Sequence, residues 1–228
     1  MRLGALFSGG KDSTFALYWA IKNNHSIECL ISLKAARADS YMFQVATIEL
    51  TKLSAQALGF PIIFEQTSGI KEKELEDLKR AILRAKKEYG IEGVTAGALA
   101  SNYQKERVEK ICAELGLKVF APYWHYDQEK YLREILAAGF EVIFTRVAAL
   151  GFTEKWLGRK LDLNAIEDLK KLNQKYRVHI GGEGGEFETL VLDGPIFKKR
   201  IEILESKKTW HANEGELVIK KAELTGKS

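Results

Sequence analysis

The sequence predicts an α/β protein with two domains: a parallel sheet with helices on both faces, followed by a smaller C-terminal α+β domain. Three observations support this prediction. Short apolar segments alternate with amphipathic segments of ten or more residues through the first half of the chain. The first apolar segment runs directly into a Gly-rich turn, and the alternation ends near Pro122. We therefore expect the domains to span residues 1–122 and 123–228.

The first domain is predicted to consist of strands and helices in alternation, as the βαβ units of a parallel sheet require. The predicted strands are Leu3–Phe7, Ile27–Leu33, Pro61–Glu65, Gly93–Ala96 and Lys118–Ala121. The predicted helices are Ser13–Asn23, Gln44–Leu58, Lys71–Tyr89 and Tyr103–Leu115. The third helix has the clearest pattern, because its apolar residues form one stripe and Gly90 follows its end.

The pattern of the second domain is mixed, which is typical of an α+β arrangement. Helices are predicted at Gln128–Ala138 and Asn164–Tyr176, with a strand at Glu141–Val147 between them. A Gly-rich segment at residues 181–185 then precedes the extended runs Thr189–Leu192, Lys199–Leu204 and Leu217–Leu224.

Composition narrows the class of protein. With 46% hydrophobic and 29% charged residues, the chain is expected to be globular. No apolar run reaches the roughly 18–20 residues of a membrane span, and no leader precedes the first strand, so we expect a cytoplasmic protein without a membrane partner.

Cys29 and Cys112 are expected to be buried thiols, and the four scattered histidines suggest no zinc site. The net charge of +4 favours a solvated surface over a nucleic-acid stripe, so no nucleic-acid partner is expected.

The strongest functional signal is a hexapeptide between the first strand and the first helix. Its glycines allow the backbone to approach a ligand closely, and the positive end of the helix points to the same place. The serines add hydroxyl donors and Lys11 adds a positive charge. Asp12 would repel a phosphate unless Mg²⁺ lay between them or the residue capped the helix. The residues of this phosphate loop are Ser8, Gly9, Gly10, Lys11, Asp12 and Ser13.

Two other interpretations of the loop are possible. A Walker P-loop has the pattern G-x-x-x-x-G-K-[ST]. Gly4 and Gly9 have the right separation, but Gly10 occupies the position of the lysine. An ordinary Gly turn with a Ser or Asp cap is the structural alternative. The complete hexapeptide directly after an N-terminal strand favours a phosphate site over both.

The hexapeptide resembles the PP-loop of the N-type ATP pyrophosphatases. That superfamily includes NAD, GMP, asparagine and argininosuccinate synthetases and several tRNA-modifying enzymes. The resemblance implies a Rossmann-like domain of the HUP type, ATP as a substrate, Mg²⁺ as a cofactor, and cleavage between the α- and β-phosphates through an adenylated intermediate. It does not specify the second substrate.

Four further segments resemble the diphthine–ammonia ligase family: residues 39–42, 97–109, 152–159 and 182–195. The resemblance extends from Leu3 to about Phe197, with one departure at Gln44, where the family pattern would place a histidine. It implies ATP-dependent amidation of diphthine, a modified histidine of elongation factor 2, with free ammonia as the nitrogen donor. The sequence leaves the oligomeric state open and allows a homo-oligomer.

The family segments supply further candidate site residues. Glu183, Glu186 and Glu188 could bind Mg²⁺, bind ammonium or accept a proton from ammonia. Glu186 and Glu188 would share one face of a strand, whereas a polar loop with solvated acids is the alternative. The expected nucleotide contacts beyond the phosphate loop are Asp39, Ser40, Tyr41, Gly97, Tyr103 and Gln104. Trp156 and Trp210 are expected either to pack in a core or to dock a protein.

Two rival functions remain open at this level. Another N-type pyrophosphatase would modify a tRNA or amidate a small molecule. A tRNA thiolase or a lysidine-type synthetase would call for a basic RNA surface or paired catalytic cysteines. A nucleotide sensor of the universal-stress type would bind ATP without turning it over. The mild charge and the isolated cysteines argue against the first, and a second domain rich in Gly-Glu motifs argues against the second.

Overall fold

The structure, a computed structural model, describes residues 1–35, 50–67, 73–97 and 102–227 of the chain. The chain divides into two compact units, Met1–His125 and Tyr126–Ser228. No helix within the described ranges is both long and apolar enough to cross a membrane.

The first unit is a parallel sheet with the strand order β3-β2-β1-β4-β5, which confirms the predicted α/β fold. Its strands are β1 (Arg2–Leu6), β2 (Ser26–Ala35), β3 (Ile62–Thr67), β4 (Gly93–Thr95) and β5 (Lys118–Phe120). Its described helices are α1 (Lys11–Lys22), α2 (Thr51–Leu58), α3 (Lys73–Tyr89) and α4 (Asn102–Glu114). The chain order reverses across β1, so the crevice beyond the carboxyl ends of β1 and β4 is where such a sheet binds ligands.

Helix α1 begins at Lys11, two residues earlier than the predicted start at Ser13. The reason is local, because Gly10 already has the extended backbone of an N-cap residue and Thr14 N–H donates to its carbonyl at 3.1 Å. The last three residues of the phosphate loop therefore form the first turn of the helix. The predicted N-terminal part of α2, residues 44–49, lies outside the described residues.

The core of the first unit packs α3 and α4 against one face of the sheet. Leu78 and Ile82 of α3 are fully buried against Ile31 and Val94 of the strands. Cys29 and Cys112 belong to the same hydrophobic cluster, and both are free thiols. Burial raises the pKa of each thiol to about 12, and for Cys29 the negative charges of Glu28 and Glu88 add to that effect. The two cysteines are therefore buried apolar groups, as the sequence predicts.

We expect neither cysteine to react with iodoacetamide in the folded protein at pH 8. With a thiol pKa of about 12, only about one thiol in 10⁴ is a thiolate at that pH, and the thiolate is the nucleophile. Mass spectrometry of native and urea-unfolded protein would measure the labelling, and the unfolded chain should take up two labels. Rapid labelling of either cysteine in the native protein would contradict this account of the core.

The second unit is an antiparallel sheet with the order β7-β6-β9-β8. Its strands are β6 (Glu141–Val147), β7 (Phe187–Asp193), β8 (Arg200–His211) and β9 (Glu214–Thr225), and its helices are α5 (Gln128–Ala137) and α6 (Leu163–Tyr176). Strands β8 and β9 form a hairpin of twelve residues a side, longer than predicted. Much of this hairpin is exposed, so its sequence lacks the regular apolar alternation of a half-buried strand.

Both tryptophans of the second unit pack against other parts of that unit. Trp156 is buried and packs edge-on against Phe144 and Phe152, each at 5.0 Å between ring centroids, so the core alternative is confirmed for this residue. Trp210 lies near the turn of the β8–β9 hairpin, where its Nε1 donates to the Ala212 carbonyl at 3.0 Å. A side chain at Gly215 would collide with its indole ring, so Trp210 packs on the backbone of its own hairpin.

Candidate functional site

The phosphate loop joins the carboxyl end of β1 to the start of α1. Gly9 has a φ of 85°, a left-handed conformation that favours glycine, and this turns the chain from the strand into the helix. Gly10, the N-cap residue, has no side chain that could bond to the first turn of α1. The first N–H groups of a helix have no partner within the helix, so this end presents donors and a positive dipole to an anion.

Hydroxyl groups hold the shape of the loop. The Oγ atoms of Ser8 and Ser13 lie 3.2 Å apart, and Ser8 N–H donates to Ser13 Oγ at 3.2 Å. From α2, the Thr51 hydroxyl donates to the Ser8 carbonyl at 3.2 Å. The loop is therefore pre-formed by its own serines and by the neighbouring helix. A ligand would meet a loop whose backbone shape is already fixed, which lowers the cost of ordering it on binding.

Lys11 is the buried cation of the loop. Its side chain is 3% exposed, and its Nζ contacts both carboxylate oxygens of Asp12, at 2.9 and 2.8 Å. Asp12 is 26% exposed, so this carboxylate reaches solvent while it neutralises the lysine. Asp12 therefore does not cap the helix, because the N-cap position belongs to Gly10. It holds the ammonium of Lys11 beside the start of α1.

Gly97 follows β4 and lies directly against the phosphate loop. A Cβ at this position would lie 2.9 Å from Asp12 C, 2.9 Å from Ser13 N and 3.0 Å from Asp12 Cβ. Two of these are backbone atoms, which cannot move aside as a flexible side chain can. The absence of a side chain at residue 97 is therefore what allows the β4 segment and the loop to meet at the carboxyl edge of the sheet.

Several predicted nucleotide contacts cannot be placed. Asp39, Ser40, Tyr41 and the departure at Gln44 lie outside the described residues. Tyr103 and Gln104 belong to the first turn of α4, as predicted from the sequence, but the described structure does not include their side chains. Their contacts with ATP remain predictions.

The three glutamates of the Gly-rich segment have different environments. Glu186 lies just before β7, and its Oε1 accepts from His179 N–H at 3.0 Å while its Oε2 accepts from Gly184 N–H at 2.8 Å. Glu188 is 9% exposed and lies 3.4 Å from the Arg146 guanidinium on the paired strand β6. Glu183 is half-buried, and its Oε1 accepts from the Gln128 amide at 3.1 Å.

Three polar residues near these glutamates were missed by sequence reasoning. Gln128 starts α5, Arg146 is in β6, and His179 precedes the Gly-rich segment, so none is a neighbour of the glutamates in the motif itself. Gln128 Nε2 donates to the Tyr126 carbonyl at 3.0 Å and to Glu183, while a side chain at Gly181 would overlap Gln128 Oε1. In the register of β6 on β7, Arg146 pairs with Glu188. No local sequence pattern predicts this register, so the arginine could not be identified from the sequence.

We expect Glu186→Ala to lower the free energy of unfolding by about 1–3 kcal/mol, because two backbone N–H groups lose a charged acceptor. Denaturant unfolding followed by circular dichroism would measure the change. Glu202→Ala on the exposed part of β8 is the matched control and should leave stability unchanged. If Glu186→Ala kept full stability and lost activity, the carboxylate would act in the chemistry and not in ordering the turn.

The described residues contain no group of three or more His, Cys, Asp or Glu side chains that could hold a metal ion by themselves. Within the phosphate loop, Asp12 supplies a carboxylate that is 26% exposed. A Mg²⁺ ion there would take most of its ligands from phosphates and water, which is how Mg²⁺ is commonly bound with nucleotides.

Comparison with known proteins covers both units. The family model "Diphthamide synthase N-terminal domain" matches residues 1–119, and "Diphthamide synthase C-terminal domain" matches residues 127–225. A protein of Danio rerio named diphthine–ammonia ligase is 38% identical over 94% of this chain and 91% of its own length. Proteins of the same name from Mus musculus and Homo sapiens are 37% and 36% identical, each over 93% of this chain and 86% of theirs.

One solved structure resembles this chain, with a lower sequence identity than these relatives. It is described as a predicted subunit of tRNA methyltransferase from Methanocaldococcus jannaschii, and it has 17% identity and a TM-score of 0.42 over 86% of this chain and 98% of that one. Such a likeness is too weak to bear on the function of this chain.

Proposed function

The chain belongs to the diphthine–ammonia ligase family, and on that premise we propose that it amidates diphthine on elongation factor 2 with ATP and ammonia. The observation that carries the proposal is the pre-formed phosphate loop, with the 3% exposed Lys11 at the start of α1. This arrangement suits a substrate whose pyrophosphate leaves as an anion.

The first proposed step activates the acceptor. A carboxylate oxygen of diphthine attacks the α-phosphorus of ATP, the bond from that phosphorus to the α,β-bridging oxygen breaks, and pyrophosphate leaves. Negative charge builds on the leaving group, and preorganised donors lower the barrier most where charge develops. The donors for this purpose are the N–H groups that begin α1, the Ser8 and Ser13 hydroxyls, and the ammonium of Lys11.

Asp12 is the proposed link to Mg²⁺. Before nucleotide binds, its carboxylate neutralises Lys11 at 2.8 Å. When phosphates take over the ammonium, the carboxylate can serve as a ligand of the Mg²⁺ that accompanies them. Mg²⁺ bound there would offset the negative charge of the phosphates, and the same exchange explains why an acidic residue lies in an anion-binding loop.

The second proposed step transfers ammonia to the activated acyl group. The nitrogen attacks the acyl carbon, AMP leaves with the oxygen that came from the carboxylate, and a proton is released to a base. Of the three candidate carboxylates, Glu186 is engaged by two backbone N–H groups and Glu188 is beside the Arg146 cation. Glu183 Oε1 accepts from the Gln128 amide at 3.1 Å. We propose that one of these three carboxylates serves as the base or ammonium ligand.

The experiment that tests the proposal measures AMP and pyrophosphate formation with ATP, Mg²⁺ and ammonium. Elongation factor 2 carrying diphthine, the same factor without the modification, and no factor would be compared. We expect release only with the diphthine-carrying factor. Turnover driven by a tRNA or a small carboxylate in place of that factor would contradict the proposed acceptor, and ATP binding without AMP under every condition would favour a nucleotide sensor.

A further inference from the structure

We propose that the indole of Trp124 binds a quaternary ammonium group, the trimethylammonium group of the diphthine acceptor. The inference rests on the proposed function, because it assigns part of the acceptor to a residue of the first unit. It goes beyond that function by naming a residue that determines specificity for the acceptor.

Trp124 lies in an aromatic turn directly after β5, comprising Tyr123, Trp124 and His125. The turn is closed by Trp124 N–H, which donates to the Ala121 carbonyl at 3.2 Å. The His125 ring packs edge-on against Trp124 at 4.5 Å, with an interplanar angle of 80°. The indole is half-buried, so it is held in place and still reaches solvent.

A cation already lies on the face of this indole. Lys105 Nζ, from α4, is 4.6 Å from the centroid of the Trp124 ring. Tryptophan is the aromatic side chain that attracts cations most strongly, and about 6 Å is the range of the interaction. Lys105 also lies 3.5 Å from Glu109, one turn further along α4, so its ammonium has a second partner when another cation takes the indole face.

The aromatic turn lies at the correct edge of the sheet. Strand β5 neighbours β4, and β4 neighbours β1, so the turn, Gly97 and the phosphate loop all follow the carboxyl ends of adjacent parallel strands. Two strand spacings separate β5 from β1 by about 10 Å. In addition, the Tyr123 ring stacks on Phe15 of α1 at 4.9 Å, which anchors the turn on the helix that begins with the phosphate loop.

The chemistry of the acceptor matches an aromatic face. Diphthine carries its trimethylammonium group on the same carbon as the carboxylate, so the cation must lie beside the place where the acyl adenylate forms. A quaternary ammonium has no N–H and cannot donate a hydrogen bond to a carboxylate. Aromatic faces recognise such groups through the quadrupole of the ring and through contact with the methyl groups.

The test is a series of substitutions at Trp124 in the full chain, assayed with elongation factor 2 that carries diphthine. We expect Trp124→Leu to raise the KM for the modified factor about three- to thirtyfold and Trp124→Phe to raise it less, with the KM for ATP and kcat unchanged. Trp19→Leu is the matched control: Trp19 is another half-buried tryptophan of the first unit, stacked on His25, and this change should leave the KM for the factor unchanged.

Tetramethylammonium chloride provides a second readout. It should inhibit the wild-type enzyme competitively with the modified factor, and it should not inhibit the Trp124→Leu variant. Sodium chloride at equal ionic strength should inhibit neither enzyme. The inference would be overturned if the wild-type enzyme is active and Trp124→Leu keeps both the wild-type KM for the modified factor and the inhibition by tetramethylammonium. That result would leave the proposed function intact. A wild-type enzyme that forms no AMP with the modified factor would instead overturn the proposed function.

Discussion

Lys11→Ala should lower the rate of AMP formation by roughly 10²–10³-fold, the cost of removing one preorganised charge that stabilises a transition state. The loss should appear mainly in kcat, because negative charge on the departing pyrophosphate increases in the transition state. The fold should remain intact, since the substitution removes a 3% exposed charge and leaves behind Asp12, which is 26% exposed and can be solvated.

Two controls make this result specific. Lys22→Ala, in the last turn of the same helix, changes the charge equally and should leave the rate unchanged. The free energy of unfolding of Lys11→Ala should stay within about 2 kcal/mol of the wild type, because the carboxylate left without its partner, Asp12, is 26% exposed and can be hydrated. Near-normal turnover in Lys11→Ala would show that phosphates are not bound by this loop.

Gly97→Ala should lower turnover by about 10²-fold through displacement of the loop, although residue 97 contributes no functional group. The new Cβ would meet Asp12 C and Ser13 N at 2.9 Å, so the β4 segment or the first turn of α1 must shift. A displacement of about 1 Å in a catalytic arrangement can cost 10²-fold in rate. The KM for ATP should rise as well, since the same backbone presents the phosphate donors.

The control for Gly97→Ala is the same substitution at a glycine with open space around its Cα. At Gly226 a Cβ would have no neighbour within 4 Å, so Gly226→Ala should leave both rate and stability unchanged. Steady-state kinetics with ATP as the varied substrate would separate the two variants. An unchanged KM and kcat in Gly97→Ala would mean that the contact between Gly97 and the loop does not position the phosphate site.

The features of this molecule that the sequence alone predicts are those determined by residues close together in the chain. The phosphate loop is predicted because a strand, two glycines and a helix start lie in one short segment, and the structure places Ser8–Ser13 at that junction. The strands of the parallel sheet are predicted because each is a short apolar run buried by helices. The burial of Cys29 and Cys112 follows from the same apolar patterns.

The parts that sequence did not predict depend on contacts between distant segments. That Gly97 touches Asp12 follows from β4 pairing with β1, a register that no local pattern encodes. Glu186 is one of three similar carboxylates in the motif, and only the fold shows that its two oxygens hold backbone N–H groups. The pairing of Arg146 with Glu188 likewise requires the β6–β7 register.

Isotope transfer would show whether diphthine is activated as an acyl adenylate. Elongation factor 2 whose diphthine carboxylate carries a heavy oxygen isotope would be incubated with the enzyme, ATP, Mg²⁺ and ammonium, and the nucleotide product analysed by mass spectrometry. We expect one heavy oxygen to pass from the carboxylate into the phosphate of AMP, in proportion to the amide formed. Heavy oxygen in pyrophosphate or inorganic phosphate, with unlabelled AMP, would contradict it.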